Sequence, residues 1–206
     1  MKNNSEGPLL RYFIQQCHNP KGFIGSAMIN IWNKTFKSMT KWGLKHIDFK
    51  QTDYVLDVGC GGGETINILA NKIKKGKIYG LDISAASVRA SLSRNSRFVN
   101  SQHVNVIQSD VAELQFEDNY FDKVIAIQTH IYWFELEKGL MEIVRVLKHE
   151  GSFILICERD KIDYHMKQYQ TNQDMANLLQ RVGFGSIKVF ENLNWLTFVC
   201  QKDFIS

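Results

Sequence analysis

The chain is poor in proline and in paired cysteine. It has two prolines, Pro8 and Pro20, and four cysteines in 206 residues. With no proline after Pro20, helices and strands can run without interruption. Cys17, Cys60, Cys157 and Cys200 lie far apart with no C-x-x-C pair, which argues against a zinc ribbon or a disulfide framework. They read as reduced, partly buried thiols of a cytoplasmic protein, and no metal site is expected. No apolar run reaches the roughly 18 residues a membrane helix needs. The opening residues, Met1 to Gly7, lack the apolar core of a signal peptide. Internal repeats and low-complexity tracts are also missing.

What is present describes a compact chain. Hydrophobic residues make up 44% and charged residues 22% of it, enough for one sizeable core. The formal net charge of +4 is uneven: residues 1–50 carry eight Lys or Arg against Glu6 and Asp48, and the remainder is slightly acidic. That basic third is either a solvated helical face or a patch for an acidic partner. The expected division is an N-terminal helical segment, 1–50, on the substrate side, followed by a ligand-binding domain, 51–206.

The centre of the sequence is Tyr54-Val55-Leu56-Asp57-Val58-Gly59-Cys60-Gly61-Gly62-Gly63-Glu64. The apolar, β-branched run reads as a strand covered on both faces. Glycines at alternate positions allow a sharp turn with bare amides, and the run from Thr65 to Ala70 takes up helical spacing. A dinucleotide fingerprint would read G-x-G-x-x-G and hold a pyrophosphate at the helix N-terminus. Here the spacing is G-x-G-x-G, with Asp57 two residues earlier. A carboxylate is a poor neighbour for a diphosphate and suits a ligand with an ammonium group and no phosphate, such as S-adenosylmethionine. The run Asp57 to Gly63 resembles the first motif of the class I S-adenosylmethionine-dependent methyltransferases.

Further along, Ile78-Tyr79-Gly80-Leu81-Asp82 reads as a second strand ending in an acid. Its distance from Gly63 is close to the roughly twenty residues that place a carboxylate beside a ribose. Asp82 as a plain helix cap is the competing reading, with Ser84 a second cap candidate. Val104 to Gln108 is a third strand, Lys123 to Gln128 a fourth and Ser152 to Cys157 a fifth, the last entered through a turn at Lys148 to Gly151. Helices are expected at Glu64 to Lys72, Ser84 to Asn95, Leu136 to Leu147 and Asp174 to Val182. Phe23 to His46 carries one or two more. Glu158 to Tyr169 is polar and reads as an irregular lid. Ile187–Phe190 and Trp195–Cys200 form a hairpin.

The resemblance covers residues 54–202 and implies an α/β, Rossmann-like fold. Its seven-stranded sheet has the order 3-2-1-4-5-7-6, is mostly parallel with a C-terminal antiparallel hairpin strand, and has helices on both faces. The lead-in around Lys21–Gly25 and Lys41–His46 resembles small bacterial methyltransferases of ubiquinone and menaquinone biosynthesis, in which such a segment closes over the cofactor. The resemblance implies a cofactor site made from Asp57, Gly59, Cys60, Gly61 and Gly63, from Asp82, Ile83 and Ser84, from Asp110, Val111 and Ala112, and from Gln128. Asp82 would take the ribose. Asp110 would take the adenine amine, with the backbone amides that follow it on the ring nitrogens.

An oxygen or carbon-acid acceptor would need a base. His130, just past the fourth strand, is the first candidate, with Tyr132 and Glu158 in reserve; His130 as a plain pocket wall is the alternative. No Asn-Pro-Pro-Tyr run follows that strand, which argues against exocyclic-amine methylation of adenine or glutamine. The favoured function is methyl transfer to a small molecule by a monomer or homodimer. An RNA methyltransferase using the basic N-terminal third and a cofactor-binding protein without turnover both stay open. Nucleic acid is the disfavoured partner, because no separate RNA-binding module is visible.

Overall fold

A computed structural model describes residues 36–203. Most of the basic stretch 1–50, including Cys17 and the part of the helical run expected from Phe23 that precedes Phe36, lies outside the described residues.

Seven strands form one sheet: β1 (Tyr54–Val58), β2 (Lys77–Asp82), β3 (Val104–Gln108), β4 (Phe121–Ile127), β5 (Leu147–Glu158), β6 (Phe184–Glu191) and β7 (Trp195–Lys202). Their order is β3-β2-β1-β4-β5-β7-β6. Strands β3, β2, β1, β4 and β5 pair in parallel, while β7 runs antiparallel to both β5 and β6. The described helices are α1 (Lys37–Leu44), α2 (Glu64–Lys72), α3 (Ala85–Arg94), α4 (Ser96–Asn100), α5 (Leu136–Val146), α6 (Arg159–His165) and α7 (Asn172–Arg181).

Side chains alternate across β1, and each face has its own cover. Val55 packs with Met39 of α1, Ile66 and Leu69 of α2, and Phe98 of α4. Leu56 and Val58 pack with Leu140, Ile143 and Val146 of α5 and with Leu178 and Leu179 of α7. Both faces of the parallel strands are therefore dry, and polar chemistry is pushed to the strand ends. The carboxyl ends of β2, β1 and β4 lie level, with Leu81 and Ala126 both opposite Val58.

Two local expectations are corrected, and one short helix is added. Glu158 to Tyr169 is no irregular lid: it contains α6, which buries Ile162 and the following Met166 four residues apart. The apolar stripe is two residues wide and was masked by the charges between them. The expected turn at Lys148 to Gly151 lies inside β5. Glu150 takes φ 61° there, and the β4–β5 register shifts between Phe121 and Lys123, so a bulge absorbs the irregularity. The short α4, which buries Phe98, was not foreseen.

The turn between β1 and α2 is fixed from outside. Gly63 caps α2 at φ 75°, and a Cβ there would stand 2.4 Å from Ser91 Oγ and 2.5 Å from Asn95 Nδ2. The Asn95 amide donates to the Gly63 carbonyl at 3.0 Å, and Arg94 Nε donates to that of Gly62 at 2.8 Å. Replacing Gly63 by alanine therefore adds left-handed strain to a clash against α3. The expected loss is about 2–5 kcal/mol, read as a lower urea midpoint at unchanged m-value.

Candidate active site

A cavity of about 360 Å³ opens at the carboxyl ends of β1, β2 and β4. Of the residues named from sequence, Asp57, Gly59, Cys60, Gly61, Asp82, Ile83, Asp110, Val111, Gln128 and Tyr132 line it. Gly63, Ser84, Ala112 and His130 do not. Gly63 shapes the turn from behind, and Ser84 caps α3 by accepting from the Ser87 amide. Ala112 donates its amide to Asp110 Oδ1 at 2.9 Å, so that amide already has a partner within the loop.

The turn is built on hydrogen bonds to β2. The amides of Gly59 and Cys60 both donate to the Leu81 carbonyl, at 2.7 and 2.9 Å. The Gly61 amide donates to Asp82 Oδ2 at 2.9 Å, and the Ser84 amide to Asp82 Oδ1 at 2.8 Å. Asp82 thus holds the turn and the start of α3 at once. Burial raises its pKa, and those two amides oppose the rise. Gly61 has φ +52° and nothing within 4 Å of where a Cβ would stand, so its missing side chain leaves open space on the cavity wall.

Asp57 is the electrostatic centre. It is 2% exposed, and its Oδ2 is buried with no hydrogen-bond partner. Burial, with the Asp82 charge adding to it, raises its carboxyl pKa from 3.8 to about 7. Cys60 sits between these acids; burial and both carboxylates push its thiol well above the ordinary range, so it stays neutral. A buried carboxylate with an open oxygen is costly unless something positive or donating reaches it. Among the described residues no group of His, Cys, Asp or Glu is arranged to hold a metal ion.

His130 is 1% exposed, and neither ring nitrogen has a partner. Burial pulls its pKa down to about 3. It borders a neighbouring cavity of about 830 Å³, which shares the Trp133 and Phe134 wall with the first. Glu158, the other reserve base, is not on the first cavity's wall; its backbone amide donates to Gln128 Oε1 at 2.7 Å.

Several wall residues were not among the site residues named from sequence. Phe36 caps α1 and Thr40 lies on it, Lys161 comes from α6, and Thr129, Trp133 and Phe134 come from the segment after β4. Glu64 pairs with Lys37 at 2.7 Å and with Arg94 at 2.9 Å, fastening α1 and α3 across the start of α2. Thr129 Oγ1 donates to the Val58 carbonyl at 3.0 Å, and its methyl occupies the space a Gly59 side chain would need. Only the glycine turn carried a local signal; the others reach the site from distant elements.

The sequence profile of the methyltransferase domain matches residues 56–155. The putative methyltransferase YrhH of Bacillus subtilis is 30% identical over 169 residues, 82% of this chain and 89% of that protein. The chain belongs to the class I S-adenosylmethionine-dependent methyltransferases. The 2-phytyl-1,4-naphtoquinone methyltransferase of Trichormus variabilis is 28% identical, over 63% of this chain and 56% of its own. A S-adenosylmethionine-dependent methyltransferase from Aquifex aeolicus shares the fold at a TM-score of 0.72 and 19% identity, covering 86% of this chain and 98% of that one.

S-adenosylmethionine is the cofactor, and the residues present fit it. The orphaned Asp57 oxygen suits its ammonium group, and the space over Gly61 suits a ligand lying on bare backbone. Asp57 makes the fit dependent on pH. Its folded pKa exceeds its unfolded one, so the folded chain binds the extra proton between about pH 4 and pH 7 and loses stability as pH rises through that window. Asp57→Asn should therefore melt higher than the parent at pH 8 without cofactor, with the gain shrinking toward pH 5, and should bind S-adenosylhomocysteine more weakly. Calorimetric melting and titration at the two pH values check both signs.

Proposed function

We propose that this protein transfers the methyl group of S-adenosylmethionine to a small-molecule acceptor. The observation that carries this reading is the continuity of the cavity: from the glycine turn it runs on to the aromatic wall of Tyr132, Trp133 and Phe134. Its volume is on the scale of small-ligand sites, about 300–1,000 Å³. A fully exposed Phe134 at that wall offers apolar surface to an acceptor. The relative named for a naphthoquinone acceptor supports a compact acceptor of this kind.

The cofactor supplies a methyl group already activated on a sulfonium. The chain's own contribution is placement, which in well-oriented model systems is worth up to about 7–11 kcal/mol. In this reading the backbone from Gly59 to Gly61 carries the amino-acid end, and Asp57 faces its ammonium. Asp82 grips the ribose with the lone pairs left over from Gly61 and Ser84, Ile83 and Val111 flank the adenine, and Asp110 takes its amine. Gln128 stands at the acceptor side. Residues 51–206 form the cofactor domain, and the segment before them supplies a wall through Phe36 and through Thr40 of α1. His130, neutral and off the cofactor cavity's wall, packs behind the acceptor segment and takes no proton.

Gly61→Asn tests the cofactor placement with little backbone strain, since Asn accepts left-handed geometry. The variant should keep the parent's melting temperature within a few degrees. It should lose the thermal upshift and calorimetric heat that S-adenosylhomocysteine gives the parent. Equal affinity in the two proteins would remove the ligand from the turn. His130→Asn should leave that affinity unchanged and leave the pH profile of methyl transfer without a lost limb.

A further inference from the structure

The cofactor cavity is polarised along the sheet edge. Its β2 and β1 side is acidic, with Asp82 and Asp57, and Asp110 lies beyond on the β3 side. Its β4 and β5 side holds donors. Gln128 follows β4 with φ 58°, a left-handed conformation uncommon for a residue with a side chain. Its backbone amide donates to the Ile156 carbonyl at 2.8 Å, and its Oε1 accepts from the Glu158 amide at 2.7 Å. With the oxygen engaged, the amide orientation is set. Nε2 is buried, is 95% removed from solvent with the rest of the residue, and has no partner. A buried amide N–H without an acceptor is costly, and an oxygen arriving with a ligand would relieve it.

Lys161 is a second donor on the wall of this cavity. It lies on α6, one helical turn after the Glu158 whose amide holds Gln128, and it lines the same cavity. Burial raises the carboxyl pKa of Glu158, three residues earlier, and the Lys161 charge pulls it down against that rise. The other charges of this helix point to other partners or stay outside the wall. Arg159 pairs with Glu191 at 2.6 Å, and Glu158, Asp160 and Asp163 are not on the cavity lining. Thr129 has already given its hydroxyl proton to Val58.

We propose that the methyl acceptor is an oxyanion on an apolar body, a carboxylate or a phenolate, received between Lys161 Nζ and Gln128 Nε2. This rests on the methyltransferase reading and narrows it to O-methylation of an acid. Lys161 and Gln128 Nε2 can only donate, which favours an anionic oxygen over an amine. The acceptor oxygen's lone pair forms the O–CH3 bond as the S–CH3 bond breaks, and that bond's electron pair stays on sulfur. An anion and a sulfonium become two neutral groups, and no proton has to leave. The absence of His130 from the cavity wall is then no obstacle, because the nucleophile arrives deprotonated.

The test uses the full chain saturated with S-adenosylhomocysteine and titrated with four probes: decanoate, 1-naphthol above its pKa, decylamine and 1-naphthylmethylamine. First, binding of S-adenosylhomocysteine itself must be seen; its failure would sink the methyltransferase reading and not this one alone. Given that binding, an anionic probe should bind at least about tenfold more tightly than the amine of the same body. Lys161→Gln and Gln128→Asn should each cost that probe about tenfold or more, the range of charge-assisted hydrogen bonds. S-adenosylhomocysteine affinity should stay within about twofold in both variants. Whichever of decanoate and 1-naphtholate binds decides between carboxylate and phenolate. Amines binding as well as anions, or Lys161→Gln leaving the anion's affinity unchanged, would overturn the proposal. So would a loss confined to S-adenosylhomocysteine, which would give Lys161 and Gln128 to the cofactor's own carboxylate.

Discussion

A carboxyl group buried at the end of β1 with one oxygen unanswered is the constraint on which this structure turns. Asp57 is held on a strand whose neighbours on both faces are apolar, so water cannot relieve it. Without a cofactor the chain meets that cost by keeping the group protonated up to about neutral pH. With a cationic ligand in place the same burial becomes an advantage, because charge attraction is stronger where solvent is excluded. Stability and ligand affinity are therefore set against each other at one atom.

The turn that follows Asp57 is fastened from outside. Leu81 accepts two amides of the glycine turn, Asp82 accepts a third, and Arg94 and Asn95 hold two of its carbonyls. Ion pairs of Glu64 with Lys37 and Arg94 tie α1 and α3 to the beginning of α2. Exposed pairs of this kind add little to stability by themselves. Their use here is geometric, because they fix three helices around a turn that has no side chains to fix itself.

Charge is distributed across the cavity in step with strand order. Acids stand at β2 and β1, where a cation is received. An amide donor and a lysine stand at β4 and α6. In the reaction proposed above, the two ends of this groove would receive ligands of opposite sign, whose charges cancel as the methyl group moves. The strained backbone at Gln128 belongs to the same arrangement: Ile156 and Glu158 of β5 hold both its amide and its side chain, over-determining a conformation the residue would not choose alone.

Much of this was written in local sequence. The run from Tyr54 to Glu64 specifies strand, turn and helix, because β-branched residues, alternate glycines and helical spacing each act over a few neighbours. The acid at Asp82 and the sheet order followed from the same stretch through its resemblance to a family. What local pattern could not supply was contact between distant segments. The charges of Arg159 to His165 hid a helix whose two buried residues mattered more than its polar majority. Ser84, Ala112 and His130 sat at plausible positions in the chain, yet their groups were turned to a cap, to a loop bond and to a neighbouring cavity. Phe36 and Thr40 reach the site from the start of the described chain, and Lys161 from the helix after β5. The sequence by itself determined which backbone would be laid bare for a ligand, since that depends on residue type and spacing. The tertiary structure alone decided which side chains face it, because that depends on how helices pack against the two faces of the sheet.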